Sequence, residues 1–150
     1  MDIFIKALKE HKKYKGKMEI VSRVPLNNKE DLSTYYSPGV AAVASRLAKY
    51  PEQTSLYTNT HNSVAIVSDG SAVLGLGNIG PEGALPVMEG KAILFKKFAN
   101  IDGYPIVLNT QDPDEIISIV TAIAPSFGGI NLEDISAPNC FYIEEHLKKR

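Results

Sequence analysis

Two adjacent carboxylates have the residue types and the position that a divalent-cation site requires. Glu133 and Asp134 directly follow an apolar run at 129–132. Side chains at the end of such a strand lie where α/β sheets usually bind ligands, and carboxylate oxygens suit Mg²⁺ or Mn²⁺. The alternative is that Asp134 or Ser136 caps the next helix. Neighbouring side chains on a regular strand point to opposite faces, so both acids can serve one ion only if the strand ends there.

One lysine is a candidate general base. Lys91 lies inside the otherwise apolar stretch 84–98. A partly desolvated lysine can take up a proton near neutral pH. The alternative is an ordinary surface residue, which is how we interpret Lys96 and Lys97.

Tyr36 is a candidate proton donor. It directly precedes Ser37-Pro38, which we interpret as the cap and first residue of a helix. The positive end of a helix dipole favours anions, so a phenol there could donate to, or protonate, an acidic substrate. The alternative is a tyrosine that only packs against the helix.

A glycine-rich segment matches the dinucleotide fingerprint G-x-G-x-x-G. It spans 75–80, and Asp102 follows at about the spacing of a ribose-binding acid. Two details argue against nucleotide binding. The preceding run 72–74 is predicted to be the second arm of a hairpin with 64–67, and Pro81 and Pro86 are expected to delay the helix. We therefore favour a loop for close backbone approach or for a small anion.

The surrounding pattern predicts an α/β fold with a partly parallel sheet, a hairpin and an N-terminal helical segment. Helices are predicted at 2–13, 37–48, 85–99, from Asp112-Pro113 through 123, and from Ala137-Pro138 through 147. Strands are predicted at 64–67, 72–74, 105–108 and 129–132, an extended piece at 18–24 and a long loop at 26–37.

Composition limits the class of protein. At 150 residues the chain fits one domain. The net charge of −1 argues against a dedicated nucleic-acid binder. A single cysteine, Cys140, favours a reducing cytoplasm. No apolar run reaches the roughly 18 residues of a membrane helix, so no membrane partner is expected.

Taken together, these segments resemble the N-terminal domain of malic enzyme, of the smaller bacterial and archaeal type. The resemblance covers nearly the whole chain from about residue 15. It rests on the order and spacing of five stretches: 16–21, 31–41, 64–80, 86–91 and 131–138.

The resemblance implies oxidative decarboxylation of (S)-malate to pyruvate and CO₂, with NAD or NADP and with Mn²⁺ or Mg²⁺. The family's catalytic tyrosine and lysine fall on Tyr36 and Lys91, and two of its three acidic metal ligands fall on Glu133 and Asp134. In this family the glycine-rich loop lies on the substrate side of the cleft, which assigns that role to Gly75, Gly77, Asn78 and Gly80.

The resemblance also implies what the chain lacks. The family's cofactor-binding Rossmann domain and third metal ligand are expected beyond this chain, so we expect no malate turnover by the chain alone and no cofactor-binding residues within it. A homo-oligomer, a dimer, is expected. The alternatives are a non-catalytic module that binds a dicarboxylate or a nucleotide, and an oligomerisation fragment.

Overall fold

A computed structural model describes residues 2–149 of the chain. These residues form two compact units. The sheet unit comprises residues 2–18 and 62–149, and the helical unit comprises residues 19–61. In the described part of the chain, no helix is both long and apolar enough to cross a membrane.

The α-helices and strands are numbered along the chain. The helices are α1 Ile3–Tyr14, α2 Lys29–Tyr35, α3 Val40–Lys49, α4 Thr54–Tyr57, α5 Gly80–Ala99, α6 Pro113–Ile123 and α7 Asn139–Lys148. The strands are β1 Ser63–Ser68, β2 Asp102–Val107 and β3 Gly129–Leu132. Helices α2, α3 and α4 belong to the helical unit, and the other elements belong to the sheet unit.

The sheet has three strands in the order β2-β1-β3, and both pairings are parallel. The central strand β1 is buried on both faces, because Ala65, Ile66 and Val67 are all inaccessible to solvent. A strand covered on both sides needs a continuous apolar run rather than alternation, and 64–67 supplies that run. The α/β prediction and the strands near 64–67, 105–108 and 129–132 are confirmed.

Helices cover the two faces of this sheet. On one face, Met88 and Ala92 of α5 pack against Ile66. Helix and sheet lie so close that a Cβ on Gly103 would be 3.0 Å from the Ala92 Cα. On the other face, α6 and α7 contribute a larger apolar cluster with the remaining side chains of β1; its buried members include Ala65, Val67, Ile116, Val120 and Ile143.

The predicted hairpin is wrong. Residues 72–74 form no strand, and their one ladder contact is an isolated bridge between Val73 and Gly77. Both edges of β1 are already occupied by β2 and β3, so no edge is left for an antiparallel arm. The side chain of Leu74 is 94% exposed. The apolar run at 72–74 therefore belongs to a loop.

The two prolines do not delay the helix after the glycine-rich segment. Helix α5 begins at Gly80 with Pro81 in its first turn, and Pro86 lies inside it. A first-turn proline lacks only an N–H that would have no partner in the helix. The predicted start at residue 85 is therefore five residues late.

Two further predictions fail in the helical unit. The supposed loop at 26–37 contains α2, whose start is capped by Asn28. A helix of seven residues is too short for a repeating apolar pattern, so its capping residue is the main signal in the sequence. Ser37 and Pro38 do not open α3, which begins at Val40 after Gly39 without a side-chain cap. The extended piece at 18–24 joins no strand.

Two glycine substitutions should change stability in opposite directions. Gly70 has φ +68°, and a Cβ there would be 2.1 Å from the carbonyl oxygen of Gly80. Because that neighbour is backbone, we expect Gly70→Ala to destabilise the sheet unit by about 2 kcal/mol or more. Gly90 lies within α5 with no neighbour in the way of a Cβ, so Gly90→Ala should stabilise by about 0.5–1 kcal/mol. Urea denaturation followed by circular dichroism measures both, and equal midpoints for the two variants would contradict this account.

Candidate active site

The predicted lysine and the first predicted acid form an ion pair. The Nζ of Lys91 lies 2.9 Å from Oε2 of Glu133. The side chains are 34% and 28% exposed, and a pair this accessible contributes only about 0–1 kcal/mol to stability. The Lys91 Nζ also lies 5.7 Å from the centre of the Phe95 ring. Helix α5 and the end of β3 thus bring the Lys91 ammonium group and the Glu133 carboxylate together at a position open to solvent.

Glu133 is held on two sides. Its backbone N–H donates to the Val67 carbonyl at 2.9 Å, which continues the pairing of β3 with β1. The side-chain amide of Asn131 donates to Oε2 at 3.3 Å. The oxygen that accepts from Lys91 therefore also accepts from Asn131, and the carboxylate is directed toward α5.

Asp134 lies two residues beyond the end of β3. Its φ is +54°, a left-handed conformation in which Asp and Asn are the most common non-glycine residues. The alternation of side chains between the two faces of the sheet therefore does not continue to Asp134. Two adjacent acids can bind one ion only if this alternation is interrupted. Burial raises the pKa of the Asp134 carboxyl above its ordinary value and the Glu133 charge raises it further, while Lys91 opposes the shift. Glu133 and Asp134 together have one more negative charge than Lys91 balances, and a bound cation would compensate for it.

The capping alternative for this segment is wrong. Helix α7 begins at Asn139, and its N-terminus has no side-chain cap. Ser136 contributes only its carbonyl oxygen, which accepts from the Cys140 N–H at 3.0 Å. The carboxylate of Asp134 is thus left without a capping role.

The glycine-rich segment forms a tight loop that leads directly into α5. Val73 and Gly77 exchange two backbone hydrogen bonds of 2.9 Å. Gly75, Gly77 and Gly80 all have positive φ values, between 73° and 77°. The Asn78 side chain exchanges hydrogen bonds of 3.1 and 3.0 Å with the Gln111 amide. That reciprocal pair connects the loop to the segment before α6.

The dinucleotide interpretation fails on the position of the acid. Asp102 is the first residue of β2, whereas a ligand in a parallel sheet binds at the carboxyl ends of the strands. Asp102 also accepts from Lys96 at 2.8 Å and from Asn62 at 3.2 Å. Lys96 is thus a surface residue, with its side chain 53% exposed, that also forms an ion pair with Asp102.

Tyr36 belongs to the helical unit. It follows the last residue of α2, and its side chain is 67% exposed. Its carbonyl accepts from the N–H of Val40, the first residue of α3, at 2.9 Å. The phenol is thus accessible to a ligand, and it lies four residues ahead of α3 rather than at a helix opened by Ser37.

A divalent cation fits the acidic pair in part. Within residues 2–149, no group of three or more His, Cys, Asp or Glu side chains could hold a metal ion. Glu133 and Asp134 supply hard oxygen donors, but Mg²⁺ and Mn²⁺ prefer about six oxygen ligands. These two residues can therefore form one side of such a site.

A set of contacts near the acidic pair was missed by the sequence interpretation. Asp69, Ser71 and Ser136 are joined by hydrogen bonds between the turns that follow β1 and β3. The signal was present as Asp69-Gly70-Ser71, because an Asp side chain often accepts from the backbone two residues on. We had interpreted it as the turn of a hairpin.

The sequence and the fold both match known proteins. The family model for the malic enzyme N-terminal domain matches residues 15–113 and 109–148. The NAD-dependent malic enzyme of Geobacillus stearothermophilus is 59% identical over 134 residues, which are 89% of this chain and 28% of that protein. The NADP-dependent malic enzyme of Escherichia coli is 53% identical over 135 residues, 90% of this chain and 18% of that protein.

Among solved structures, the NAD-dependent malic enzyme of Thermotoga maritima superposes with a TM-score of 0.94 at 58% identity. The match covers 96% of this chain and 41% of that one. The chain thus spans less than half the length of each of these relatives. Because the family model covers most of the chain and the fold agrees, the chain belongs to the malic enzyme family and corresponds to its N-terminal domain.

Proposed function

We propose that this chain supplies the substrate and metal side of a malic enzyme active site. The reaction is the oxidative decarboxylation of (S)-malate to pyruvate and CO₂ with NAD or NADP. The observation that carries the proposal is the pairing of Lys91 with Glu133 beside Asp134, at the end of a parallel strand. The names of the relatives in Geobacillus stearothermophilus and Escherichia coli support the activity and both nucleotides.

Glu133 and Asp134 are the residues that would hold Mn²⁺ or Mg²⁺. When bound, the cation would supply Lewis-acid polarisation of the oxygen at C2 of malate, and the nicotinamide cofactor would supply a hydride acceptor. The raised pKa of Asp134 supports this role, because its largest causes are burial and the Glu133 charge and a cation counters both.

Lys91 is the proposed general base for the C2 hydroxyl. In the described state its Nζ donates to Glu133. Glu133 Oε2 cannot serve Lys91 and a cation equally, so Lys91 is the group released when Glu133 takes a cation. Once that pair is broken, Lys91 as the neutral amine can accept the C2 hydroxyl proton.

Tyr36 is the proposed acid that protonates C3 after CO₂ leaves, with or without the help of Lys91. Its exposed phenol supports this role. The glycine-rich loop, with Gly75, Gly77, Asn78 and Gly80, is proposed to line the substrate side. The Asn78–Gln111 amide pair supports this, because it holds the loop in one place.

Self-association and a cytoplasmic location complete the proposal. Helix α1 has no buried residue, and Ile3, Phe4 and Leu8 are exposed on it. A second copy of the chain would cover this apolar surface. The single cysteine supports a reducing compartment.

The first prediction concerns the competition for Glu133. In this chain, Lys91→Ala should increase Mn²⁺ affinity by about 1.4- to fivefold, because it removes a competing cation whose exposed pairing is worth about 0.2–1 kcal/mol. Lys97→Ala, which removes the same charge elsewhere on α5, is the matched control and should change nothing. Isothermal titration calorimetry measures both, and a weaker affinity in Lys91→Ala would contradict the competition.

In a full-length malic enzyme that contains this domain, Lys91→Ala should instead reduce kcat by about 10²–10⁴-fold, the usual loss for a positioned general base. Tyr36→Phe should act similarly. Steady-state kinetics with malate and Mn²⁺ measure this. A near-normal kcat for Lys91→Ala would remove the assignment of the base and with it the main support for the proposed function.

The second acid can be tested with little change in shape. Asn tolerates the left-handed conformation of Asp134 as well as Asp does, so Asp134→Asn should leave the fold intact. Loss of one anionic ligand from so small a set should weaken Mn²⁺ binding at least about tenfold. Asp114→Asn, on α6, removes an acid outside the candidate site and serves as the control. Equal Mn²⁺ affinity in Asp134→Asn and the unaltered chain would exclude Asp134 from the metal site.

We expect the chain to sediment as a dimer, above its monomer mass of 16.4 kDa. Phe4→Glu should shift it toward the monomer, because a buried charge without a partner is costly. Lys9→Glu, on the same helix, tests whether a charge change alone has that effect. Sedimentation equilibrium across concentrations measures the mass, and a monomer at all concentrations would contradict the expectation.

A further inference from the structure

A buried network of hydrogen bonds joins the turn after β1 to the turn after β3. Asp69 is 1% exposed. Its Oδ1 accepts from the Ser71 N–H at 2.9 Å and from the Ser71 hydroxyl at 2.6 Å. Ser71 Oγ accepts from the Ser136 N–H at 2.8 Å, and the Ala72 N–H donates to the Asp134 carbonyl at 3.0 Å. Two hydrogen bonds therefore cross between the turns.

The network has a direction. A serine hydroxyl has one proton to donate and two lone pairs to accept with. Because the Ser71 proton goes to the Asp69 carboxylate, a lone pair is directed to the Ser136 N–H. A short hydroxyl–carboxylate bond is charge-assisted and stronger than a neutral one. Asp69 thus keeps Ser71 oriented as an acceptor for the second turn.

The held segment contains the acidic pair. On one side, the Glu133 N–H is bonded to the Val67 carbonyl of β1. On the other side, Asp134 and Ser136 are bonded to Ala72 and Ser71. Between these contacts Asp134 has its left-handed φ of 54°, which non-glycine residues retain only where the surroundings hold them.

We propose that Asp69 and Ser71 are positioning residues for the acidic pair. They hold the backbone of 133–136 in the conformation that lets both carboxylates face one divalent cation. The inference rests on the proposed metal role of Glu133 and Asp134. Asp69 acts through Ser71, because its Oδ1 accepts from both the N–H and the hydroxyl of Ser71.

The experiment is a Mn²⁺ titration of the 150-residue chain, followed by paramagnetic broadening of the Glu133 and Asp134 amide signals. Ser71→Ala should raise the Mn²⁺ concentration for half-broadening about tenfold, the usual loss for an outer hydrogen-bond partner. It should also speed hydrogen exchange at the Ser136 amide. Ser68→Ala is the matched control: Ser68 is also buried, at 0% exposure against 8% for Ser71, and its hydroxyl oxygen accepts from Gly70 within its own turn. That variant should titrate like the unaltered chain.

A conservative variant distinguishes the effect of the Asp69 hydrogen bond to Ser71 from the effect of the Asp69 charge. Asp69→Asn keeps an oxygen that can accept from Ser71, so it should retain Ser136 protection and Mn²⁺ affinity within about threefold. Asp69→Ala should lose both. Loss of Mn²⁺ affinity in Asp69→Asn with Ser136 still protected would overturn the proposal, because the charge of Asp69 would then be what matters.

Two outcomes separate this inference from the proposed function. Broadening in the unaltered chain that is unchanged by Ser71→Ala would overturn the positioning role alone. No broadening in the unaltered chain would overturn the metal site and, with it, the positioning role. If Ser71→Ala does not fold, the Asp69→Asn variant still tests the positioning role, because its side-chain oxygen can accept from Ser71 as Asp69 does.

Discussion

The parallel pairing of β1 between β2 and β3 is the constraint on which the rest of the sheet unit depends. Because both neighbours run in the same direction, the ends of β1 and β3 reach the same edge of the sheet. That edge brings the turn at 69–72 against the turn at 133–136. Continuous burial of Ala65, Ile66 and Val67 supplies the free energy for this arrangement.

The contacts of the acidic pair at this edge contribute little to stability. The Lys91–Glu133 pair is too exposed to contribute much to folding, and Asp134 is held in an uncommon backbone conformation beside a second negative charge. Features that cost stability and persist are typical of functional sites. The buried Asp69–Ser71 contact connects the turn after β1 to Ser136, two residues beyond the partly buried acids, and from this contact we infer a positioning role.

The errors of the sequence interpretation have physical causes. An apolar run at 72–74 satisfies a local strand pattern, yet no edge of β1 is free to pair with it. Pro81 predicts a delayed helix only if its position is ignored, because it lies in the first turn of α5, where a missing N–H costs nothing. In both cases a short sequence pattern was interpreted without its structural context, which was the occupied edges of β1 in one case and the position within the helix in the other.

Some properties of this protein followed from the sequence alone. An apolar run predicted β1 because a doubly covered strand must be continuously apolar, and Asp112 predicted the start of α6 because an N-cap is a local interaction. Candidate residues such as Lys91 and Glu133 were also identifiable by type and spacing. Their contact was not, because they lie 42 positions apart in the chain and meet only when α5 packs beside the sheet. The hydrogen bonds from Ala72 to Asp134 and from Ser136 to Ser71 likewise join turns that are distant in the sequence, and only the tertiary structure decides them.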